Sequence, residues 1–222
     1  DEQFRGTIIC SVAPFILFRV DREAPRQMLE FLDYYKRVTP SDIISQHLAM
    51  PIQKTFAFRL PELAPGYLSH RLRYREFPEP SFYLFHRNRF RSANYKKTDA
   101  EKQKKKRLFE LADQTPIKDE GEIRAIVAHV ADLVKRIEAR GGKVIFVVLP
   151  ISGEARDLEQ GKFPRRRYWD VFAAGVGAPA IHFEDHEALR GFECPDGSHL
   201  DGRDSDRFTR ALVSVLLIQD LI

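Results

Sequence analysis

The sequence predicts an α/β fold: three layers, with a mostly parallel sheet between two layers of helices. Three observations carry this. Gly6 to Val12 and Lys143 to Leu149 are short β-branched runs without apolar–polar alternation, the pattern of strands buried on both faces of a parallel sheet. Between them lies one apolar stripe at helical spacing: Ile123, Ile126, Val127, Val130, Leu133, Val134 and Ile137. That helix, Asp119 to Arg140, runs through Gly141-Gly142 directly into the second strand, which is half of a right-handed crossover unit.

Taken in order, the first strand ends at Ala13-Pro14-Phe15. Asp21 to Arg37 reads as a helix because Met28, Leu29, Leu32, Tyr35 and Val38 recur at helical spacing. A second helix starts after Pro40, capped by Ser41 or Asp42, and runs to about Met50. Five prolines between residues 51 and 82 predict loops and short turns there. The block from His86 to Arg107 holds ten Lys or Arg against two acids, with Phe82, Tyr83, Phe85, Phe90 and Tyr95 in or beside it. It reads as a solvated excursion or as a contact for an anionic polymer or membrane surface. No nucleic-acid fold signature accompanies it, which weighs against a nucleic-acid partner.

After Pro150 the residues from Ile151 to Arg167 read as a polar loop. In open parallel sheets ligands bind beyond the carboxyl ends of the strands. That loop, with Ser152, Glu154, Arg156 and Arg165-Arg166-Arg167, therefore belongs to the functional rim, as does Ala13-Pro14-Phe15. Tyr168, Trp169, Val171 and Phe172 suggest a short helix packed on the sheet. Ala180 to Phe183 is the third strand. A closing helix from about Arg203 turns Phe208, Leu212, Val215 and Leu216 inward.

A chain of 222 residues, 43% hydrophobic, is enough for one domain with a sizeable core. The domain expected spans 1–222, with a basic irregular excursion at about 51–118. The formal charge of +4 is only mildly basic. The two cysteines, Cys10 and Cys194, are no disulfide framework, although a bond between them is compatible with the sequence. No apolar run approaches the roughly 18 residues of a membrane span.

The chemistry-bearing stretch is Cys194-Pro195-Asp196-Gly197-Ser198-His199-Leu200, between the last strand and the last helix. Asp-x-x-His places a carboxylate beside an imidazole. The His can take a nucleophile's proton while the Asp fixes its tautomer and supports the imidazolium. This block, followed by Gly202 and the closing helix, resembles the last sequence block of SGNH (GDSL-like) hydrolases. It is most similar to the branch of DltD-type D-alanine transfer proteins and polysaccharide O-acetyltransferases. The resemblance covers the chain from Gly142 onward. It implies an SGNH-like α/β domain whose Asp196 and His199 complete a triad with a Ser. It further implies esterase or O-acyltransferase chemistry on carbohydrate or cell-envelope polymer esters without a cofactor, in an extracytoplasmic or periplasmic setting.

The family's Ser lies in a Gly-Asp-Ser-like turn after the first strand, and this chain contains no Gly-Asp-Ser. The small-Pro-aromatic turn Ala13-Pro14-Phe15 matches the end of a middle strand in that branch, which would place the nucleophile strand upstream of residue 1. Within the chain Ser11 is the only strand-end candidate nucleophile near the N-terminus; Ser152 and Ser198 are weaker ones. His182, Asp185, His186, Asp196 and His199 are ligand types within a short span, but His182 and His186 bracket a strand end, so no metal site is expected. The rival readings are a non-catalytic SGNH-like module that binds a glycan or protein, and a basic nucleic-acid-binding protein.

Overall fold

Three parallel strands form the main sheet. In the computed structural model, which describes residues 4–20, 26–55, 69, 72–73, 82–85 and 91–222, the chain divides into two compact units. One comprises residues 1–22 and 99–222, the other residues 23–98. The elements in order are β1 (Thr7–Ser11), α1 (Pro14–Leu17), α2 (Arg26–Arg37), α3 (Pro40–Thr55), β2 (Tyr83–Phe85) and β3 (Arg91–Ala93). They continue with α4 (Ala100–Asp113), α5 (Glu120–Glu138), β4 (Lys143–Val148), α6 (Gly153–Lys162), α7 (Trp169–Gly175), β5 (Ala180–His182) and α8 (Gly202–Ile218).

In the larger unit the sheet order is β1-β4-β5, every pair parallel. The central strand is β4, and Val144 through Val148 are all buried. Burying each such side chain stabilises the fold by about 1.5–3 kcal/mol. Register puts Val144, Phe146, Val148 and His182 on one face, and Ile145, Val147 and Ile181 on the other. The first face is packed by α7: Phe172 meets Phe146 edge-on at 5.0 Å, and Trp169 lies 5.6 Å from the His182 ring. Helix α5 packs on both β4 and α7. It is capped by Asp119, whose carboxylate accepts from Glu122 N–H at 2.7 Å. It ends at Gly141, whose φ of +86° is the left-handed conformation that favours glycine.

The stretch after β1 is locked to the stretch before α5. Val20 N–H donates to Thr115 O at 2.8 Å, and Ile117 N–H to Phe18 O at 2.8 Å. Phe18, fully buried, packs 5.4 Å from Tyr168, whose hydroxyl donates to Ile117 O at 2.7 Å. Aromatic rings thus carry the core while their one polar handle is satisfied.

The smaller unit contains α2, α3 and the antiparallel pair β2–β3. Asn94 N–H donates to Phe82 O at 2.7 Å, closing that pair, and the Asn94 side chain caps the short 3-10 turn Tyr95–Lys97.

Several expectations need correction. Strand β1 is not buried on both faces. Among the described strands it lies at the edge of the sheet, and its Thr7, Ile9 and Ser11 are exposed, Ile9 by 49%. Residues 153–162 are helix, not loop. Helix α3 continues through Pro51 to Thr55, so that proline only removes one N–H from the ladder. Its N-cap is Thr39, which exchanges bonds with Asp42 (Thr39 N–H to Oδ2, 2.9 Å; Asp42 N–H to Oγ1, 3.3 Å). Residues 100–113 of the supposed irregular excursion form a helix capped by Asp99. Leu133 is 41% exposed and does not join the stripe. The remaining expectations for residues 21–25, 56–68, 70–71, 74–81 and 86–90 fall outside the described residues.

Helix α4 packs on α6, and between them sits a buried carboxyl, Glu159. Burial pushes its pKa from 4.5 up to about 7; Arg107 on α4 opposes that rise and Glu184 adds to it. The folded state therefore holds this proton more tightly than the unfolded chain, and its stabilising effect is lost as pH rises from about 4.5 through about 7. The total is about 3 kcal/mol. His182 runs the other way. Burial first, then Arg165, lower it from 6.5 to about 4, so stability is lost as pH falls from about 6.5 to 4. Glu159→Gln should therefore be more stable than wild type at pH 8, by about 1–3 kcal/mol in urea unfolding. Its stability should fall between pH 6.5 and 4, where the two wild-type effects partly offset each other. Equal stability of both proteins at pH 8 would contradict a buried ionisable Glu159.

Candidate active site

All three strands are parallel, so their carboxyl ends share one rim. Strand β1 exits there into Ala13-Pro14, β4 into Leu149 to Ser152, and β5 into Phe183 to Asp185. The Asp196–His199 loop is tied to the second of these exits. Ser152 N–H donates to Gly197 O at 2.9 Å, and Ser152 Oγ accepts from Cys194 N–H at 2.9 Å. The Cys194 thiol donates to Pro150 O at 3.4 Å. Gly197 has φ +92°, and a Cβ there would lie 2.6 Å from the Ala155 Cβ, so only glycine lets the loop seat against α6.

Within the loop Asp196 is buried, and its carboxylate accepts from the turn that follows it. Oδ1 takes the backbone N–H groups of Ser198 (2.9 Å) and His199 (2.8 Å). Oδ2 lies 2.8 Å from His199 Nδ1. A carboxylate only accepts, so Nδ1 is the protonated nitrogen. The neutral ring then carries its lone pair on Nε2, the arrangement of a general base with an orienting acid. Among the described residues no hydrogen bond occupies Nε2, and the side chain is 63% exposed.

The other predicted residues fall out as follows. Ser198 Oγ lies 3.1 Å from Nδ1, the nitrogen facing Asp196, and so on the wrong side of the ring for a nucleophile. The Ser152 hydroxyl is committed to the backbone of Cys194, which it also reaches through Cys194 O at 3.3 Å. Ser11 stands exposed at the carboxyl end of β1, and no described hydrogen bond joins it to His199. Burial first, with the Asp196 charge second, pushes the Cys194 thiol up to about 12, so it stays protonated and unreactive. Both cysteines are free.

Arg165 grips Asp185 with two bonds of 2.7 Å and Asp170 with one of 3.0 Å; Arg156 pairs with Glu184. Among the described residues no group of His, Cys, Asp and Glu is placed to hold a metal ion. The His182 ring is instead enclosed between Trp169 and Phe183. A shallow depression of about 420 Å³ lies beside the loop, walled by Glu101 and Lys104 of α4, by Ser152-Gly153 and by Cys194-Pro195. Lys104 reaches across to Glu154 at 2.8 Å, so part of the basic block does border this rim. Nothing in the residue types singles out Glu159 or Arg107; the one available signal is the helical spacing of Ala155, Leu158, Glu159 and Lys162.

Gly191 offers an internal control for Gly197. Its φ is +80°, but a Cβ there meets nothing within 4 Å. Gly191→Ala should cost only backbone strain, about 1 kcal/mol, whereas Gly197→Ala adds a steric clash and should cost about 3 kcal/mol or more in unfolding measurements. Comparable losses for both would mean the loop does not seat on α6 as described. Comparison with family models, with curated proteins and with solved structures finds no match.

Proposed function

We propose that this chain is an SGNH-like esterase or O-acyltransferase domain acting on carbohydrate or cell-envelope polymer esters. The single observation that carries the reading is the 2.8 Å contact of His199 Nδ1 with buried Asp196, leaving Nε2 open at the carboxyl rim of a parallel sheet. In the mechanism His199 Nε2 takes the proton of a Ser hydroxyl as that oxygen attacks the ester carbonyl. Asp196 holds the ring and stabilises the imidazolium. The proton then passes to the leaving alcohol, and the acyl group moves from Ser to water or an acceptor hydroxyl. Further support comes from the parallel order β1-β4-β5, which matches the order expected of the carboxyl-terminal strands of such a domain. Phe208, Val215 and Leu216 of α8 join the same core as Ile145, Val147 and Ile181, as a second helical layer requires. Exposed Lys105 and Lys106 on α4 suit an anionic polymer.

The test is ester hydrolysis, with acetylated polysaccharide as substrate, and fluorophosphonate labelling of the full-length protein. His199→Ala should lower kcat/KM by about a thousandfold or more, and Asp196→Asn by a similar factor through the wrong tautomer. Ser198→Ala should stay within about tenfold of wild type, because its hydroxyl faces Nδ1. Peptide mapping of the labelled Ser decides whether Ser11 or a serine outside these residues is the nucleophile. Labelling that survives His199→Ala would sink the mechanism. A second reading rests on the 63% exposure of His199: a non-catalytic glycan- or protein-binding module, which would bind acetylated glycan yet resist the probe.

A further inference from the structure

The three consecutive arginines before α7 have different fates. The turn that begins at Pro164, held by Arg167 N–H to Pro164 O at 2.9 Å and Asp170 N–H to Arg165 O at 3.0 Å, aims Arg165 into its acidic partners. Arg166 and Arg167 point elsewhere, into a pocket of about 310 Å³ between this turn and the start of α5. Its apolar floor is Ile123, 1% exposed, and Val171. Its polar wall is Arg124, Arg166 and Arg167, with Glu120 the one acid lining it.

Three guanidiniums against one carboxylate leave a cationic excess. The Glu120–Arg124 contact of 3.1 Å is an exposed helical pair of the kind that contributes little. The Arg167 guanidinium is anchored on Lys118 O, a backbone acceptor that fixes its direction without cancelling its charge. Arg166 is exposed and makes no hydrogen bond or ion pair among the described residues. Planar forked donors lining a pocket with an apolar floor match a phosphate group attached to a small apolar body. The capping of α5 by Asp119 already uses part of that helix end, which is therefore not counted toward the site. Topology puts the pocket at the functional end of the sheet: α5 turns tightly into β4 through Gly141-Gly142, so the start of α5 lies level with the carboxyl end of β4.

We propose that this pocket is a binding site for an organic phosphate monoester. The inference does not depend on the role of His199. The test is titration of the full-length protein with phenyl phosphate by calorimetry at near-physiological salt, with inorganic phosphate and benzoate as comparison arms. Saturable phenyl phosphate binding is expected, weaker by about tenfold or more for inorganic phosphate, which lacks the apolar body, and for benzoate, which lacks the dianion. Arg166→Ala, at an exposed residue without partners, should weaken binding by about tenfold while leaving thermal unfolding unchanged. Arg124→Ala should act in the same direction. No saturable binding up to about 10 mM, equal affinity for benzoate, or an unchanged affinity in Arg166→Ala would each overturn the proposal.

Discussion

Everything the candidate site can do depends on how one loop is fastened to the end of one strand. Strand β4 is rigid because five of its six residues are buried. Its exit carries Pro150 and Ser152, and both hold the later segment: Pro150 through its carbonyl, Ser152 through backbone and hydroxyl together. The fastening is short and partly buried, and every contact ends on a backbone group, so it fixes position more sharply than side-chain packing would. Asp196 then completes the loop from within, spending one oxygen on two backbone N–H groups and the other on the imidazole. The same carboxylate shapes the turn and orients the ring. Changing it disturbs both, which is why Asp196→Asn, nearly isosteric, is a cleaner probe than a truncation.

The parallel sheet explains why charge collects where it does. With every strand pointing the same way, all exits lie at one end, and polar residues that a buried strand cannot carry are displaced there. Arg165, Asp185, Asp170, Glu184 and Arg156 form a paired network beyond β5, while Glu159 and Arg107 lie between α4 and α6. Arg165 is held well above its ordinary pKa range by its bonds to Asp185, and Asp185 well below its own by Arg165. The pair is therefore fixed in its charged form across the physiological range. Glu159, buried without full compensation, is pushed up to about 7 and titrates within it, whereas buried His182, lowered to about 4, stays neutral there.

What was legible in the sequence was local and periodic. Helix α5 announces itself by seven apolar residues at helical spacing, with Asp119 and Gly141 at its ends, and α8 by Phe208, Val215 and Leu216. Asp-x-x-His was readable as a pair because the two residues share one turn, so no tertiary information is needed to bring them within reach. Helix α6 was not legible, since its buried face consists of Ala155 and a carboxyl, Glu159, and a buried acid breaks the apolar pattern. The lysine-rich run hid α4 for a related reason: Lys is a good helix former, yet its charge reads as solvated coil. The exposure of β1 could not be read at all. Thr-Ile-Ile-Cys-Ser has the composition of a central strand, and only the sheet order shows it at an edge.

That edge and the exposed imidazole belong to one problem. A general base works only where its lone pair meets a proton to be taken, and within a site from which bulk water is largely excluded. His199 has a buried partner that fixes its tautomer, but its Nε2 faces open space. Strand β1 has apolar side chains suited to a sheet interior, but Ile9 is half exposed and one edge is unpaired among the described strands. A nucleophile on Ser198 answers neither point, because its hydroxyl faces Nδ1 and leaves Nε2 and the edge of β1 as they are.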